Sequence, residues 1–315
     1  MAGALADLLG PERVHHLWLR SLRFLPLNME PPPGSDVKTK MGLLKSPVGL
    51  AAGYDKVGRY VAPLAKLGFG YIVAGTFTLK PREGHPRPRV ARRGQELALV
   101  NAMGMPNPGV YEFVRSFRRP RRRCSVLASI AGDDIEELAE CHRAVQPVVD
   151  GVEVNLSCPT FPSAARLRET SFVKELSGRL REIKTKPTYL KVPPPTSEDE
   201  EGSILRLCRI WTDAGLDGVT AVNALPVEAP ELALGVGGLS GRPLKRLMLK
   251  MVAKLRSVLQ EDVEIHAVGG IMTGADSAEA LSAGATTVQI YTALAYRGPS
   301  AAVKISREML SGRLV

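Results

Sequence analysis

Eight short apolar runs, each followed by a stretch of helical spacing, constrain the fold of this chain more than any other feature. The runs span residues 48–52, 71–75, 125–130, 151–156, 188–192, 218–222, 264–268 and 287–291. Amphipathic stretches lie between them, at 59–67, 135–149, 172–183, 204–214, 243–259 and 275–283. Near-continuous apolar strands belong to a parallel sheet covered on both faces, and the helical stretches supply its crossovers. Eight such units predict an α/β fold closed into a (β/α)8 TIM barrel. An open doubly wound sheet is the competitor, but no Gly-x-Gly-x-x-Gly turn opens any unit. The 315 residues suit one barrel of ~250 residues with an extension.

That extension is N-terminal. Leu5, Leu8 and Leu9 begin an apolar stripe, Gly10-Pro11 interrupts it, and Val14, Leu17, Trp18, Leu22 and Leu25 resume it. Arg13, His16, Arg20 and Arg23 fall mostly on the other side. Residues 1–27 therefore read as a basic amphipathic helical pair. It either packs on the barrel or lies against a membrane surface or a lipid-like ligand. Pro31-Pro32-Pro33-Gly34 is a stiff linker, so residues 1–40 are taken as extension and linker and 41–315 as the barrel. The segment 226–241 is too long for a plain strand–helix loop, and such insertions at a barrel mouth belong to the active site.

The formal net charge is +10, and Arg118, Arg119, Arg121, Arg122 and Arg123 are clustered. Such a balance favours anionic partners, with a solvated loop as the plain alternative. No aromatics interleave with the arginines, so no nucleic-acid partner is expected. Cys124, Cys141, Cys158 and Cys208 form no Cys-x-x-Cys pair, which points to a reducing compartment and to no metal site. No apolar run reaches ~18 residues and no secretory leader is evident. The expected location is cytoplasmic, with peripheral contact at the inner face of the membrane as the variant that the basic helix allows.

Catalytic groups of a barrel sit at the carboxyl ends of its strands. There the sequence places Ala52, Gly53 and Lys56; Thr76; Ser129; Asn155 and Cys158; Lys191; Asn223; Gly269 and Gly270; and Tyr291 and Thr292. The last two ends read as a phosphate corner, because glycines bare backbone N–H groups and a helix start adds more. Asn101, Asn155 and Asn223 suit a flat heterocycle, since an amide both donates and accepts. Any one of them alone is more often a turn residue. Lys191 points into the barrel, where it either pairs with a neighbouring strand or charges a bound ring. Cys158 is either a small buried hydrophobe or, where positive charge ionises it, a base.

These residues stand in longer motifs. Pro-Val-Gly-Leu-Ala-Ala-Gly-Tyr-Asp-Lys spans 47–56, Lys-Pro-Arg-Glu-Gly-His-Pro-Arg-Pro-Arg 80–89 and Asn-Ala-Met-Gly-Met 101–105. Asn-Leu-Ser-Cys-Pro spans 155–159, Gly-Gly-Leu-Ser-Gly-Arg-Pro 237–243 and Val-Gln-Ile-Tyr-Thr 288–292. In this order they resemble the dihydroorotate dehydrogenases, from the first helix to about residue 310. The resemblance implies FMN at the barrel mouth, touched by Ala52, Gly53, Thr76, Ser129, Asn155, Lys191, Val222, Gly241, Gly269, Gly270, Tyr291 and Thr292. It gives Lys191 the role of stabilising the reduced ring. It implies an orotate pocket lined by Lys56, Asn101, Ala102, Met103, Gly104, Met105, Asn155 and Asn223. Cys158 would take the C5 proton of dihydroorotate while hydride passes from C6 to the flavin.

The subclass signals conflict. The N-terminal Leu-Gly-Pro-Glu-Arg-Val-His at 9–15 and the Ala-Ala-Gly-Tyr-Asp-Lys motif resemble the membrane-associated class that reduces quinone, so a quinone acceptor is expected. That class uses a serine base, whereas Cys158 is similar to the soluble class, whose lysine after the second strand is Gly75 here. Thr160 replaces an asparagine of the pocket and Ala224 a serine or threonine. Each change removes a hydrogen bond to the pyrimidine, worth ~1–3 kcal/mol if a buried partner is left bare. Three rivals remain at this point: a dihydrouridine synthase-like reductase of a related pyrimidine, a non-redox phosphate-ligand barrel, and a regulatory barrel without activity.

Overall fold

The computed structural model describes residues 10–120, 124–157 and 169–312. It begins with helix α1 (Pro11–Ser21), which has proline in its first turn where no backbone donor is missed. A hairpin of β1 (Val37–Thr39) and β2 (Gly42–Leu44) follows, so residues 37–44 are paired across the boundary drawn at Met41.

Eight parallel strands then close a barrel in chain order: β3 (Val48–Leu50), β4 (Tyr71–Phe77), β7 (Ser125–Ile130), β8 (Gly151–Asn155), β9 (Thr188–Val192), β10 (Gly218–Ala221), β13 (Glu264–Val268) and β14 (Thr287–Ile290). Every predicted strand is present, with shifts of at most two residues at an end. Helices cover the outside, and their starts are chemically marked. Asp134 caps Ile135–Val145, Ser197 caps Glu198–Asp213 with four acidic residues in its first turn, and Thr273 with Asp276 forms a capping box on Gly274–Ser282.

The barrel's amino-terminal end is plugged by side chains. Leu44 from the hairpin packs with Tyr71, Val73, Leu127 and Tyr189. Gly49 makes room for this layer, since a Cβ there would lie 2.3 Å from the Tyr71 ring. Tyr189 Oη donates to Glu264 Oε2 at 2.7 Å, and Lys40 N donates to Glu264 Oε1 at 2.6 Å, tying the hairpin to the floor.

The opposite end carries an element that the sequence reading did not foresee. Strands β5 (Val90–Arg93), β6 (Ala98–Asn101), β11 (Leu225–Glu228) and β12 (Val236–Gly241) form an antiparallel sheet in the order β11-β12-β6-β5. The long segment 226–241 is thus mostly a hairpin, and it pairs with a second hairpin more than a hundred residues away, Gly238 opposite Asn101. Helix α1 is clamped to this sheet: Arg89 and Arg87 both hold the Glu12 carboxylate, Arg89 Nη2 at 2.7 Å. Burial raises the Glu12 pKa, but the two guanidiniums outweigh it and bring it down to about 2.

Candidate active site

A cavity of about 370 Å³ lies between the carboxyl ends of the barrel strands, the antiparallel sheet and α1. Nearly all the expected site residues meet in it. Ala52, Gly53, Lys56, Thr76, Asn101, Met103, Gly104, Met105, Asn155, Lys191, Val222, Asn223, Ala224, Gly241, Gly269, Gly270, Tyr291 and Thr292 line its wall. Ser129 and Ala102 do not. Ser129 is fully buried with its hydroxyl 3.0 Å from Thr76 Oγ1, so it reaches the wall through Thr76, and Ala102 is buried. Cys158 and Thr160 lie outside the described residues.

An amide cluster occupies the middle of the wall. Asn155 Nδ2 donates to Thr76 Oγ1 at 3.4 Å, and Asn155 Oδ1 accepts from the backbone and hydroxyl of Ser157 at 3.2 and 3.1 Å. Asn223 Nδ2 donates to Ser157 Oγ at 3.0 Å. These bonds fix both amides before any ligand arrives. Asn101, at the end of β6, faces the same space from the sheet.

Lys56 rides on a turn held by Asp55. The Asp55 side chain accepts from Gly58 N at 2.9 Å and Tyr60 N at 2.6 Å, which fixes the loop backbone. Burial still pushes the Asp55 pKa up, those donors opposing it. Lys56 Nζ donates to Gly53 O at 2.8 Å. Lys191 is buried and sits 3.5 Å from Glu153 Oε1 on the adjacent strand, so the neighbouring-strand pairing is realised while the lysine still lines the cavity.

The glycine corner is tight. At Gly270 the backbone has φ +77, and a Cβ would lie 2.4 Å from Lys245 N. Only glycine fits without displacing main chain. Next to it Thr292 Oγ1 lies 3.1 Å from Ser240 Oγ.

Several lining residues were not anticipated. Arg92 on β5 lies over the Tyr296 ring at 4.6 Å and lines the cavity, as do Val90, Leu99, Ser240 and Gln289. Val14 and Trp18 of the apolar stripe face the cavity, whereas Leu17 is exposed and Leu19, outside the stripe as read, is buried. His15 Nε2 lies 2.8 Å from Tyr54 O, and its ring packs edge-on to Tyr54 at 4.6 Å. Tyr54 in turn packs edge-on to Tyr291 at 5.2 Å. Burial, and next the Lys56 charge, bring the His15 pKa down to about 3.

The dihydroorotate dehydrogenase family model matches residues 36–312. The chain belongs to the dihydroorotate dehydrogenase family. It is 37% identical over 276 residues to a dihydroorotate dehydrogenase (quinone) of Flavobacterium lutescens, covering 81% of this chain and 78% of that one. It is 36% identical over 328 residues to the dihydroorotate dehydrogenase (quinone) of Methylococcus capsulatus, covering 95% of each. Among solved structures it is similar to the Eimeria tenella enzyme crystallised with ferulenol, with a TM-score of 0.84 and 27% identity, over 96% of this chain and 91% of that one. Membership sets aside the dihydrouridine synthase-like and non-redox barrels. No helix among the described residues is long and apolar enough to cross a membrane.

Proposed function

We propose that this family member oxidises dihydroorotate to orotate in pyrimidine biosynthesis, with FMN as cofactor and a quinone as electron acceptor. The observation that carries the reading is one continuous cavity in which Lys56 and the amides Asn101, Asn155 and Asn223 converge with the Gly269-Gly270 corner. The residues fit FMN: a Cβ at Gly53 would enter open space with no protein atom within 4 Å, and the wall offers a cation, amides and glycine backbone donors. Gly241, Gly270, Tyr291 and Thr292 would hold the phosphate, and Thr76, Asn155 and Lys191 the ring. When bound, FMN supplies the hydride acceptor.

The chain's own groups do the rest. Lys56 attracts the substrate carboxylate, and Asn101, Asn155 and Asn223 orient the pyrimidine through paired donors and acceptors. Cys158 takes the C5 proton and carries it away. The prearranged amide cluster spares reorganisation at the moment of transfer. The cavity continues past Arg92 and Val90 to Val14, His15 and Trp18 of α1, with Glu12 at its edge already paired to Arg87 and Arg89, and the apolar side of this mouth suits a quinone head on a lipid tail. Residues 1–27 would rest on the membrane surface there.

Anaerobic mixing with dihydroorotate tests the reading. Bleaching of flavin absorbance, followed by recovery on adding a short-chain quinone, is expected. A flavin that dihydroorotate does not bleach, or that fumarate or NAD reoxidises in preference to quinone, overturns it.

A further inference from the structure

The barrel interior below the cavity holds a charge that the mechanism does not use. Glu153 lies in the apolar run of β8, two residues before Asn155, with its side chain fully buried. Its Oε1 is 3.5 Å from Lys191 Nζ, and its Oε2 has no hydrogen-bond partner among the described residues. A carboxylate is costly to bury, and leaving one oxygen bare raises the cost. Lys191 is the cation within salt-bridge distance of it. In the sheet register Lys191 stands between Asn155 and Thr220, both of which face the interior and neither of which carries charge.

The pair is therefore asymmetric. Lys191 lines the cavity wall, whereas Glu153 lies beneath it and does not reach the cavity. A ligand above sees the lysine first and the glutamate behind it. Such a counter-charge does two things. It fixes the direction of a flexible side chain, and it cancels part of that side chain's field in a medium of low dielectric.

We propose that Glu153 is a positioning and counter-charge residue for Lys191, and that it sets how strongly this site favours the reduced form of its flavin. The proposal rests on the FMN reading above. Two-electron reduction with uptake of one proton leaves the ring with one negative charge. A bare Lys191 stabilises that charge fully, and a Lys191 balanced by Glu153 does so less. Glu153 thus keeps the bound flavin a weaker oxidant and easier to reoxidise, which suits a site that must pass its electrons on.

The test is the midpoint potential of the bound flavin, measured by spectroelectrochemistry on the purified holoenzyme. Glu153→Gln keeps the shape and removes the charge. It should shift the equilibrium toward reduced flavin at least tenfold, about 30 mV upward for a two-electron couple. Glu153→Asp keeps the charge one methylene further away, so its shift should have the same sign and be smaller. Loss of packing alone does not order the two variants in this way. An unchanged or lowered potential in Glu153→Gln overturns the proposal, as does an equal shift in both variants. FMN content of the unmutated protein separates this failure from that of the underlying reading: a protein that takes up no FMN overturns both, whereas one that binds FMN and shows no shift overturns only the role of Glu153.

Discussion

Acid should loosen the clasp of α1 over the cavity, and His15 should be the group responsible between pH 7 and 5. Docked, His15 is neutral, with its pKa brought from 6.5 down to about 3 by burial and then by Lys56. Undocked, it regains its ordinary value near 6.5. A group whose folded pKa is depressed contributes stability that is present above its free pKa and lost as pH falls below it. The full shift would remove about 2 kcal/mol between pH 7 and 5, and the ring's partial exposure cuts this to roughly 1–2 kcal/mol, a factor of about 5–30 in docking. His16 also shifts downward but is largely exposed, and adds little. Glu12, at about 2, loses its grip only below its free value of 4.5, so the two windows separate. Hydrogen exchange of the α1 amides, expressed as protection factors, measures the docking directly. His15→Gln retains a donor for Tyr54 O and should flatten the dependence above pH 5. Protection that is pH-independent in the unmutated protein, or equally pH-dependent in His15→Gln, refutes the reasoning.

The glycine corner, the base, the thiols and the extension can each be tested. Gly270→Ala forces a Cβ against the Lys245 backbone at a positive φ; a cost of about 1–3 kcal/mol is expected, read as a lower Tm together with weaker FMN retention. Cys158→Ala should keep FMN and slow dihydroorotate-driven flavin bleaching by ~10²–10⁴-fold in stopped flow, and a near-normal rate would assign the base elsewhere. Burial pushes the thiols of Cys124, Cys141 and Cys208 up to about 12, so a disulfide reagent at pH 8 should leave these three unmodified in the native protein and label them after unfolding. Deleting residues 1–27 should abolish quinone reduction and spare dye reduction; equal loss of both would make the segment merely structural.

The barrel was legible because its strands are buried on both faces and so advertise themselves as apolar runs; β7, β9 and β13 match the sequence reading at both ends. The sheet at the mouth was not. Leu225–Glu228 alternates in burial and Val236–Gly241 is rich in glycine, and the two hairpins of the sheet join across more than a hundred residues. No local pattern encodes such a pairing. The site followed the same division. Strand-end residues such as Asn155 and Lys191 were found by position, whereas Arg92 entered through the unforeseen sheet. Glu153 sat in a run read only for its apolar neighbours.

The edge-on stack of His15, Tyr54 and Tyr291 ties α1 to the corner that Thr292 shares. Binding free energies at two linked places are reciprocal. Whatever factor α1 docking contributes to affinity at the corner, a ligand at the corner must return to the docking of α1. A protein loaded at its corner would then present a firmer mouth to whatever collects its electrons. An empty one would present a looser mouth, so the two surfaces inform one another through three stacked rings and one helix.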